Sequence, residues 1–141
     1  MKKILLPFVF IGLLFLVSCS SSKVQNTAGS LTANKWEVIT ISGKVLDANA
    51  TKMGIPFVVF SSDNGFKGNT GCNTFVGSYK LENGKLTLGP GAITKMFCMD
   101  APETEFLSAL RQTTGYKISG NELFLLNGTT ELMKFIPKNN L

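Results

Sequence analysis

Short turn signals recur along this chain and leave room only for short strands between them. Asn-Gly pairs stand at residues 64–65, 83–84 and 127–128, and Ser119-Gly120-Asn121 and Gly89-Pro90-Gly91 are two further turn signals. Asn-Gly between apolar runs is the strongest short-range hairpin signal, because both residues tolerate positive φ. The spacing therefore predicts a series of antiparallel hairpins, and no parallel βαβ unit is visible.

The runs between these turns have the character of strands. In Lys85-Leu86-Thr87-Leu88 the two leucines share one face, and in Trp36-Glu37-Val38-Ile39 the tryptophan and the valine do. The predicted strands are 36–41, 56–61, 75–81, 85–88, 116–119, 122–126 and 131–136. Residues 45–55 fit no pattern.

The segment from residue 100 to 115 breaks the alternation and predicts one α-helix near residues 101–113. Asp100 suits the N-cap, Pro102 suits the first turn, and Glu103 completes a capping-box spacing. The apolar stripe expected to face the core consists of Phe106, Leu107 and Leu110. The predicted fold is mainly β, a small antiparallel curved sheet or cracked barrel of about seven or eight strands with this helix.

The N-terminus has the features of a lipoprotein signal peptide. Lys2 and Lys3 precede an apolar run that is shorter than the ~20 residues a membrane span needs. The run ends in Leu16-Val17-Ser18-Cys19, which resembles the lipobox of bacterial lipoproteins. We therefore expect residues 1–18 to be removed, Cys19 to be acylated, and the acyl chains to anchor the mature protein in a membrane.

The remainder divides into a lipidated tether, residues 19–30, and a single domain, residues 31–141. Ser20 rather than Asp follows the cysteine, which favours the outer membrane facing the periplasm in the familiar proteobacterial sorting rule. Removal of the two signal-peptide lysines lowers the formal net charge from +5 to +3. The other lysines are scattered singly, so nucleic-acid binding is not expected. A monomer is expected.

Two cysteines, Cys72 and Cys98, remain after this processing, and the chain has no histidine. Without histidine, Ser–His and Cys–His nucleophile systems are excluded, and two cysteines fall short of a metal site with three or four ligands. A redox pair more usually has C-x-x-C spacing. An even number in an oxidising compartment favours a structural disulfide, with two buried, unpaired thiols as an alternative. We expect no catalytic residues, no metal and no cofactor, and therefore no enzyme.

Both cysteines stand in motifs that resemble those of the META domain family, to which the HslJ-type bacterial lipoproteins belong. The motifs are G-C-N-x-x-x-G at residues 71–77 and T-x-M-x-C at residues 94–98. The resemblance covers about residues 31–137. It implies a small antiparallel, barrel-like fold with one helix and no established catalytic residues. It also implies a cell-envelope role, tied in some members to heat stress and drug resistance.

The glycines around Cys72 match neither a dinucleotide fingerprint nor a P-loop. Gly68, Gly71 and Gly77 are instead expected where the backbone needs positive φ or a close approach. Asn73 is expected to form hydrogen bonds with its own local backbone.

The sequence leaves two functions open. One is a non-enzymatic envelope lipoprotein that binds an envelope protein partner or supports the envelope under stress. The alternative is a carrier that holds an apolar ligand inside the barrel. The phenylalanines that would line or fill such a barrel are Phe57, Phe60, Phe75, Phe97, Phe106, Phe124 and Phe135. Filling is expected, because small barrels are usually packed with side chains.

Overall fold

The hairpins predicted from the turn signals are present and join into one antiparallel sheet. A computed structural model describes residues 28–47, 49, 51, 53–99 and 101–138. The elements in chain order are α1 (Ala28–Thr32), β1 (Lys35–Ile41), β2 (Lys44–Val45), β3 (Phe57–Phe60), β4 (Gly65–Asn69), β5 (Thr74–Glu82), β6 (Lys85–Ile93), α2 (Glu103–Gln112), β7 (Gly115–Ser119), β8 (Glu122–Asn127) and β9 (Thr130–Lys138). The predictions for Cys19 and Asp100 lie outside the described residues.

Eight strands run in the order β6-β5-β4-β3-β1-β9-β8-β7, and the short β2 pairs with β1. The sheet curls into a half-barrel, so that residues of its two end strands, β6 and β7, lie within 8 Å of each other (Cα–Cα), and α2 packs against β6, β1 and β8. The mainly β fold with a helix near residues 101–113 is confirmed. The strands missing from the prediction are β2 and β4, and α1 is a short second helix that begins within the predicted tether.

Successive strands alternate in direction, so the connections sort to the two ends of the half-barrel. The chain enters from α1 at one end, which also carries the turns 61–64, 83–84 and 120–121. The opposite end, called here the distal end, carries the connections 42–56, 70–73, 94–102 and 128–129. The two motifs around Cys72 and Cys98 therefore meet at the distal end, away from the N-terminal tether.

One predicted turn is wrong. Gly89-Pro90-Gly91 lies inside β6, where Pro90 pairs with Gly77 of β5. Proline is tolerated here because β6 is at the edge of the sheet, so one side of the strand has no neighbouring strand that needs a backbone N–H donor. A β-bulge at the same point absorbs the irregular backbone. By contrast Asn64 and Asn83 adopt positive φ, at 65° and 52°, as hairpin turns require.

Three glycines of the motif region have the roles expected of them. Gly71 has φ +89°, and a Cβ atom at Gly68 would lie 2.0 Å from the carbonyl oxygen of Phe57. A Cβ atom at Gly77 would lie 2.4 Å from the Gly89 carbonyl and 2.7 Å from the Phe66 ring. Gly71 is required by its positive φ, whereas at Gly68 and Gly77 the backbone of a neighbouring strand and a ring of the core occupy the space of a side chain.

Aromatic rings fill the interior of the half-barrel. Successive ring centroids are 5.9 Å apart for Phe60 and Phe66, 5.7 Å for Phe66 and Phe75, and 5.8 Å for Phe75 and Phe106 of α2. The predicted stripe of α2 is buried in this core. The indole N–H of the buried Trp36 donates to the Leu31 carbonyl at 2.8 Å. The rings therefore bind the helix to the sheet.

The seven phenylalanines named as lining or filling residues divide into three groups. Phe60, Phe75, Phe106 and Phe135 are fully buried in the core, whereas Phe124, 9% exposed, lies outside the core cluster beneath Lys117 and Lys134. Phe57 is half-buried on the outer surface, and Phe97 is exposed. The buried rings of the first group agree with the expectation that the interior is filled. Phe97 does not lie in the interior.

Candidate functional site

The connection between β4 and β5 is a tight turn that Thr70 organises. The Thr70 hydroxyl accepts hydrogen bonds from the N–H groups of Cys72 at 3.3 Å and Asn73 at 2.9 Å, and the Thr70 N–H donates to the Asn73 carbonyl at 2.8 Å. The Asn69 side chain accepts the N–H of Gly71 at 2.6 Å. Local side-chain acceptors and a positive-φ glycine thus fix the turn and hold Cys72 and Asn73 in place.

Cys72 and Cys98 form a disulfide, as predicted, with their Cα atoms 5.8 Å apart. This separation lies within the usual range for such bonds. The bond ties the 94–102 connection to the turn between β4 and β5. Cys72 is therefore a structural residue rather than a free thiol.

Asn73 does more than the sequence predicts. The expectation that it bonds its own local backbone is wrong, because its side chain spans three separate segments. Its Oδ1 accepts from the Met96 N–H at 2.7 Å and the Thr94 hydroxyl at 2.8 Å. Its Nδ2 donates to the Met96 carbonyl at 3.1 Å and to Glu103 Oε2 at 2.8 Å. A side chain that is only 1% exposed therefore makes four hydrogen bonds.

The capping box predicted for α2 depends on Asp100 and stays a prediction. The N-cap position is held by Pro102, which makes no side-chain cap, and Asp100 lies outside the described residues. Glu103, the first residue of the helix, instead accepts hydrogen bonds from the Thr70 hydroxyl at 2.6 Å and from Asn73 Nδ2. A carboxylate at a helix N-terminus is favoured by the helix dipole, so one side chain links the helix to the turn.

This network and the disulfide display a short loop, residues 95–99, called here the distal loop. Phe97 is 90% exposed, and Met96 and Met99 are also exposed. The loop is nevertheless anchored at both ends, by the Asn73 hydrogen bonds to Met96 and by the disulfide at Cys98. Large apolar side chains held rigidly in solvent are typical of a binding surface, because little conformational entropy is lost when they are covered.

A second apolar surface is a groove of about 480 Å³ on the outer face of β3 to β6. Its residues include Phe57, Val76 and Ile93, with one cation, Lys67, and it ends at Thr94, two residues before Met96. The groove is therefore adjacent to the distal loop along the chain. No pattern in the sequence predicts it, since its residues come from four strands.

The described residues carry few chemically activated groups. A hydrogen bond from Ser61 and another from the Gly65 N–H hold the pKa of Asp63 below its usual value in the turn before β4. Burial raises the pKa of Tyr79 and of Tyr116. Across the described part of the chain, no three His, Cys, Asp or Glu side chains are grouped so that they could hold a metal ion.

None of the described helices is long and apolar enough to cross a membrane. Of the predicted sites, Cys72 and Cys98 are brought together, whereas Cys19 is outside the described residues. The residues that sequence reasoning missed are the hydrogen-bond partners of Asn73 and the exposed side chains of the distal loop. Their burial and exposure depend on contacts between segments 20 to 30 residues apart, which have no local signal.

Comparison with known proteins gives a family and several structural neighbours. A protein solved by NMR is 24% identical, with a TM-score of 0.61 over 78% of this chain and 94% of that one. A DUF4847-family protein from Bacteroides vulgatus is 18% identical, with a TM-score of 0.58 over 79% and 96% of the two chains. A protein from Burkholderia xenovorans solved by NMR is 20% identical, with a TM-score of 0.63 over 79% and 86%.

These structural neighbours share the fold, and no curated protein sequence matches the chain. The sequence model of the META domain matches residues 29–140. That range includes both cysteine motifs, the network around Asn73 and every strand of the sheet. The chain therefore belongs to the META domain family.

Proposed function

We propose that the protein is a non-enzymatic lipoprotein of the bacterial cell envelope that binds an envelope protein through its distal loop. The observation that carries this proposal is the exposure of Phe97 on a loop fixed by a disulfide and by a buried asparagine. Membership of the META domain family supports a non-enzymatic domain.

The first described residues, in α1, and the distal loop are at opposite ends of the half-barrel. Nine peptide steps separate Cys19 from the start of α1 at Ala28, and they reach at most roughly 30 Å. The chain enters the half-barrel at the end that carries the turns 61–64, 83–84 and 120–121. An acylated Cys19 therefore holds that end towards the membrane, and the distal loop faces away from it, towards proteins of the periplasm.

A rigid apolar loop suits a protein partner. Aromatic side chains and methionine are enriched in the cores of protein interfaces, and one well-placed aromatic residue supplies a large share of the binding energy. The alternative function, a carrier with a ligand inside the barrel, receives no support from the interior. There the rings of Phe66, Phe75 and Phe106 contact one another and occupy the space.

The anchor is tested by replacing Cys19 with Ala. We expect the wild-type protein to fractionate with membranes and to carry acyl mass on its N-terminal peptide, and we expect the variant to lose both. A variant that stays with the membranes, together with a wild type that lacks acyl mass, would refute the lipoprotein assignment.

The loop is tested by placing a photo-crosslinking amino acid at position 97 in living cells, with position 83 as the matched control. Asn83 is also exposed but lies at the opposite end of the half-barrel. We expect one discrete protein adduct from position 97 and none from position 83. In cells carrying Phe97→Ser, a second crosslinker at position 95 should lose that adduct.

The role under stress is tested with the same variant. A Phe97→Ser strain should resemble the deletion strain in survival after heat shock, while an Asn83→Ser strain resembles wild type. Because Phe97 is exposed, its replacement should leave the free energy of unfolding within about 0.5 kcal/mol of wild type. Wild-type survival with Phe97→Ser would show that the loop has no part in the function.

A further inference from the structure

The groove on the outer face of β3 to β6 is a separate feature from the distal loop. Alternation along the strands points Phe66 and Phe75 into the core, so that the next residues, Lys67 and Val76, point outwards. Lys67 and Val76 are directly paired across β4 and β5, and their side chains therefore stand side by side. A cation thus lies beside an exposed apolar side chain on the open surface of the sheet.

A β-bulge shapes the groove. Phe75 pairs with Ile93 and Gly77 with Pro90, so two steps along β5 oppose three steps along β6. The extra residue of β6 lies opposite Val76, where the groove is lined by Ala92 and Ile93. Bulges bend a strand and redirect its side chains, which is how a sheet that would otherwise be convex acquires a concave surface.

The charge of the groove has one sign. Its lining contains Lys67 and no carboxylate, and no Asp or Glu oxygen of the described residues lies within 4 Å of the Lys67 ammonium. The nearby Lys35 differs, because it lies over the Phe57 ring at 4.0 Å and pairs with Glu37 at 3.2 Å. Lys67 is therefore the cation available to a bound ligand at this surface.

We propose that this groove binds a single-chain anionic amphiphile of the class of the long-chain carboxylates. The alkyl chain lies against Phe57, Val76 and Ala92, and the carboxylate pairs with Lys67. The volume of about 480 Å³ falls within the range of ~300–1,000 Å³ that is typical of small-molecule sites. This site does not depend on the proposed role of Phe97, which lies outside its lining.

The apolar walls and the cation have separate effects on binding, which makes the proposal testable. The walls act equally on any alkyl chain of the same length, because burial of apolar surface is indifferent to the head group. Lys67 acts only on the anion, and a charge-assisted hydrogen bond changes affinity by about tenfold. A carboxylate and the alcohol of equal chain length should therefore respond differently when Lys67 is replaced.

The experiment uses the lipidated full-length mature protein in phosphatidylcholine vesicles. A twelve-carbon carboxylate with a photoreactive diazirine in its chain is titrated in parallel with the corresponding alcohol, and labelled residues are identified by mass spectrometry. We expect saturable labelling by the carboxylate at residues 57, 76 and 92. Lys67→Gln should raise its half-saturating concentration about tenfold and leave that of the alcohol unchanged.

Two further variants complete the design. Val76→Asp, which places a charge on an exposed position of the apolar wall, should abolish labelling by both probes. Lys117→Gln is the matched control, since Lys117 is, like Lys67, an exposed lysine on a strand, but it lies outside the groove. It should change neither titration. Urea unfolding of each variant establishes that the fold is retained.

Three results would overturn the proposal. One is an unchanged half-saturating concentration for the carboxylate in Lys67→Gln. Another is labelling spread evenly over the groove and the distal loop, which would indicate non-specific adsorption. The third comes from vesicles that contain photoreactive phosphatidylglycerol, if this lipid labels the groove and the free carboxylate does not compete with the labelling. That result would identify a bilayer lipid rather than a free amphiphile as the ligand.

Discussion

The side chain of Asn73 offers the sharpest test of how this fold is held together. Its orientation is unambiguous, because the Met96 N–H can only donate and the Met96 carbonyl can only accept. Oδ1 therefore faces the Met96 N–H, and Nδ2 faces Glu103. Asn73→Ala removes four part-buried hydrogen bonds made by a buried side chain. At about 0.5–1.5 kcal/mol for each bond, we expect a loss of about 2–6 kcal/mol in the free energy of unfolding.

The aspartate of Asn73→Asp has nearly the same shape as asparagine, but this variant should be less stable than Asn73→Ala at neutral pH. It places a carboxylate oxygen where Nδ2 stands, 2.8 Å from Glu103 Oε2 and 3.1 Å from the Met96 carbonyl. Two unit charges at that separation repel by about 6 kcal/mol at an effective dielectric constant of ~20, so one carboxyl group takes up a proton instead. We expect the free energy of unfolding of the aspartate variant to be at least ~1 kcal/mol lower than that of the alanine variant at pH 7.

The pH dependence has a definite sign. Repulsion raises the pKa of the carboxyl pair in the folded aspartate variant above its value in the unfolded chain. A raised folded-state pKa favours the folded state at low pH, and that advantage is lost as the pH rises through the folded-state pKa. The deficit of Asn73→Asp relative to Asn73→Ala should therefore shrink as the pH falls towards 4.

The assay is urea unfolding of the oxidised, unlipidated Cys19→Ala protein, followed by the fluorescence of Trp36. This is the only tryptophan of the chain, and it is 1% exposed. Adding Glu103→Gln to Asn73→Asp should restore at least half of the loss, since an amide can donate to the new carboxylate. An aspartate variant that is as stable as wild type at pH 7, or one that Glu103→Gln does not rescue, would refute the placement of this network.

Other perturbations have simpler expectations, all measurable by urea unfolding. Tyr79→Phe should lower the free energy of unfolding by about 1 kcal/mol, because it loses a 2.9 Å hydrogen bond to a main-chain carbonyl. Tyr116→Phe should leave the free energy of unfolding unchanged or raise it, because this buried hydroxyl has no partner among the described residues. Equal losses in the two variants would contradict this. Gly77→Ala should cost at least ~2 kcal/mol, since its Cβ atom would overlap the core and the neighbouring strand, and a smaller effect would show that the strands separate easily. The double variant Cys72→Ser, Cys98→Ser should lower the free energy of unfolding by about 3.5 kcal/mol and retain the circular dichroism spectrum of the fold. Thiol titration of the native wild type should find neither cysteine free.

The local features of this fold could be predicted because local chemistry determines them. Asn64 and Asn83 tolerate positive φ, so the turns and the strands beside them follow from a few adjacent residues. The apolar stripe of α2 likewise follows from helical spacing within one segment. The pairing of Cys72 with Cys98 spans 26 residues, but few alternatives exist when a domain has only two cysteines and no histidine.

One strand and the partners of one asparagine depend on long-range contacts and have no local signal. β4 escaped prediction because Gly65 and Gly68 resemble a turn, although Gly68 is a glycine to admit the backbone of β3 and the ring of Phe75. Asn73 was assigned to its own turn because asparagine usually caps local backbone, yet three of its four partners lie 21 to 23 residues away and the fourth lies 30 away.

The candidate binding surfaces depend wholly on tertiary structure. Helical spacing places Phe106 in the core, but no pattern in the sequence indicates that Phe97 is exposed, because hydrophobicity alone does not state whether a loop residue faces the core or the solvent. Exposure of the distal loop follows from the network that fixes its ends, and the groove beside Lys67 follows from a bulge between β5 and β6. The sequence by itself determined the hairpins, the helix and the disulfide, since these depend on neighbouring residues or on few alternatives. Only the tertiary structure decided which apolar side chains reach solvent, since that depends on strand register and on contacts between distant segments.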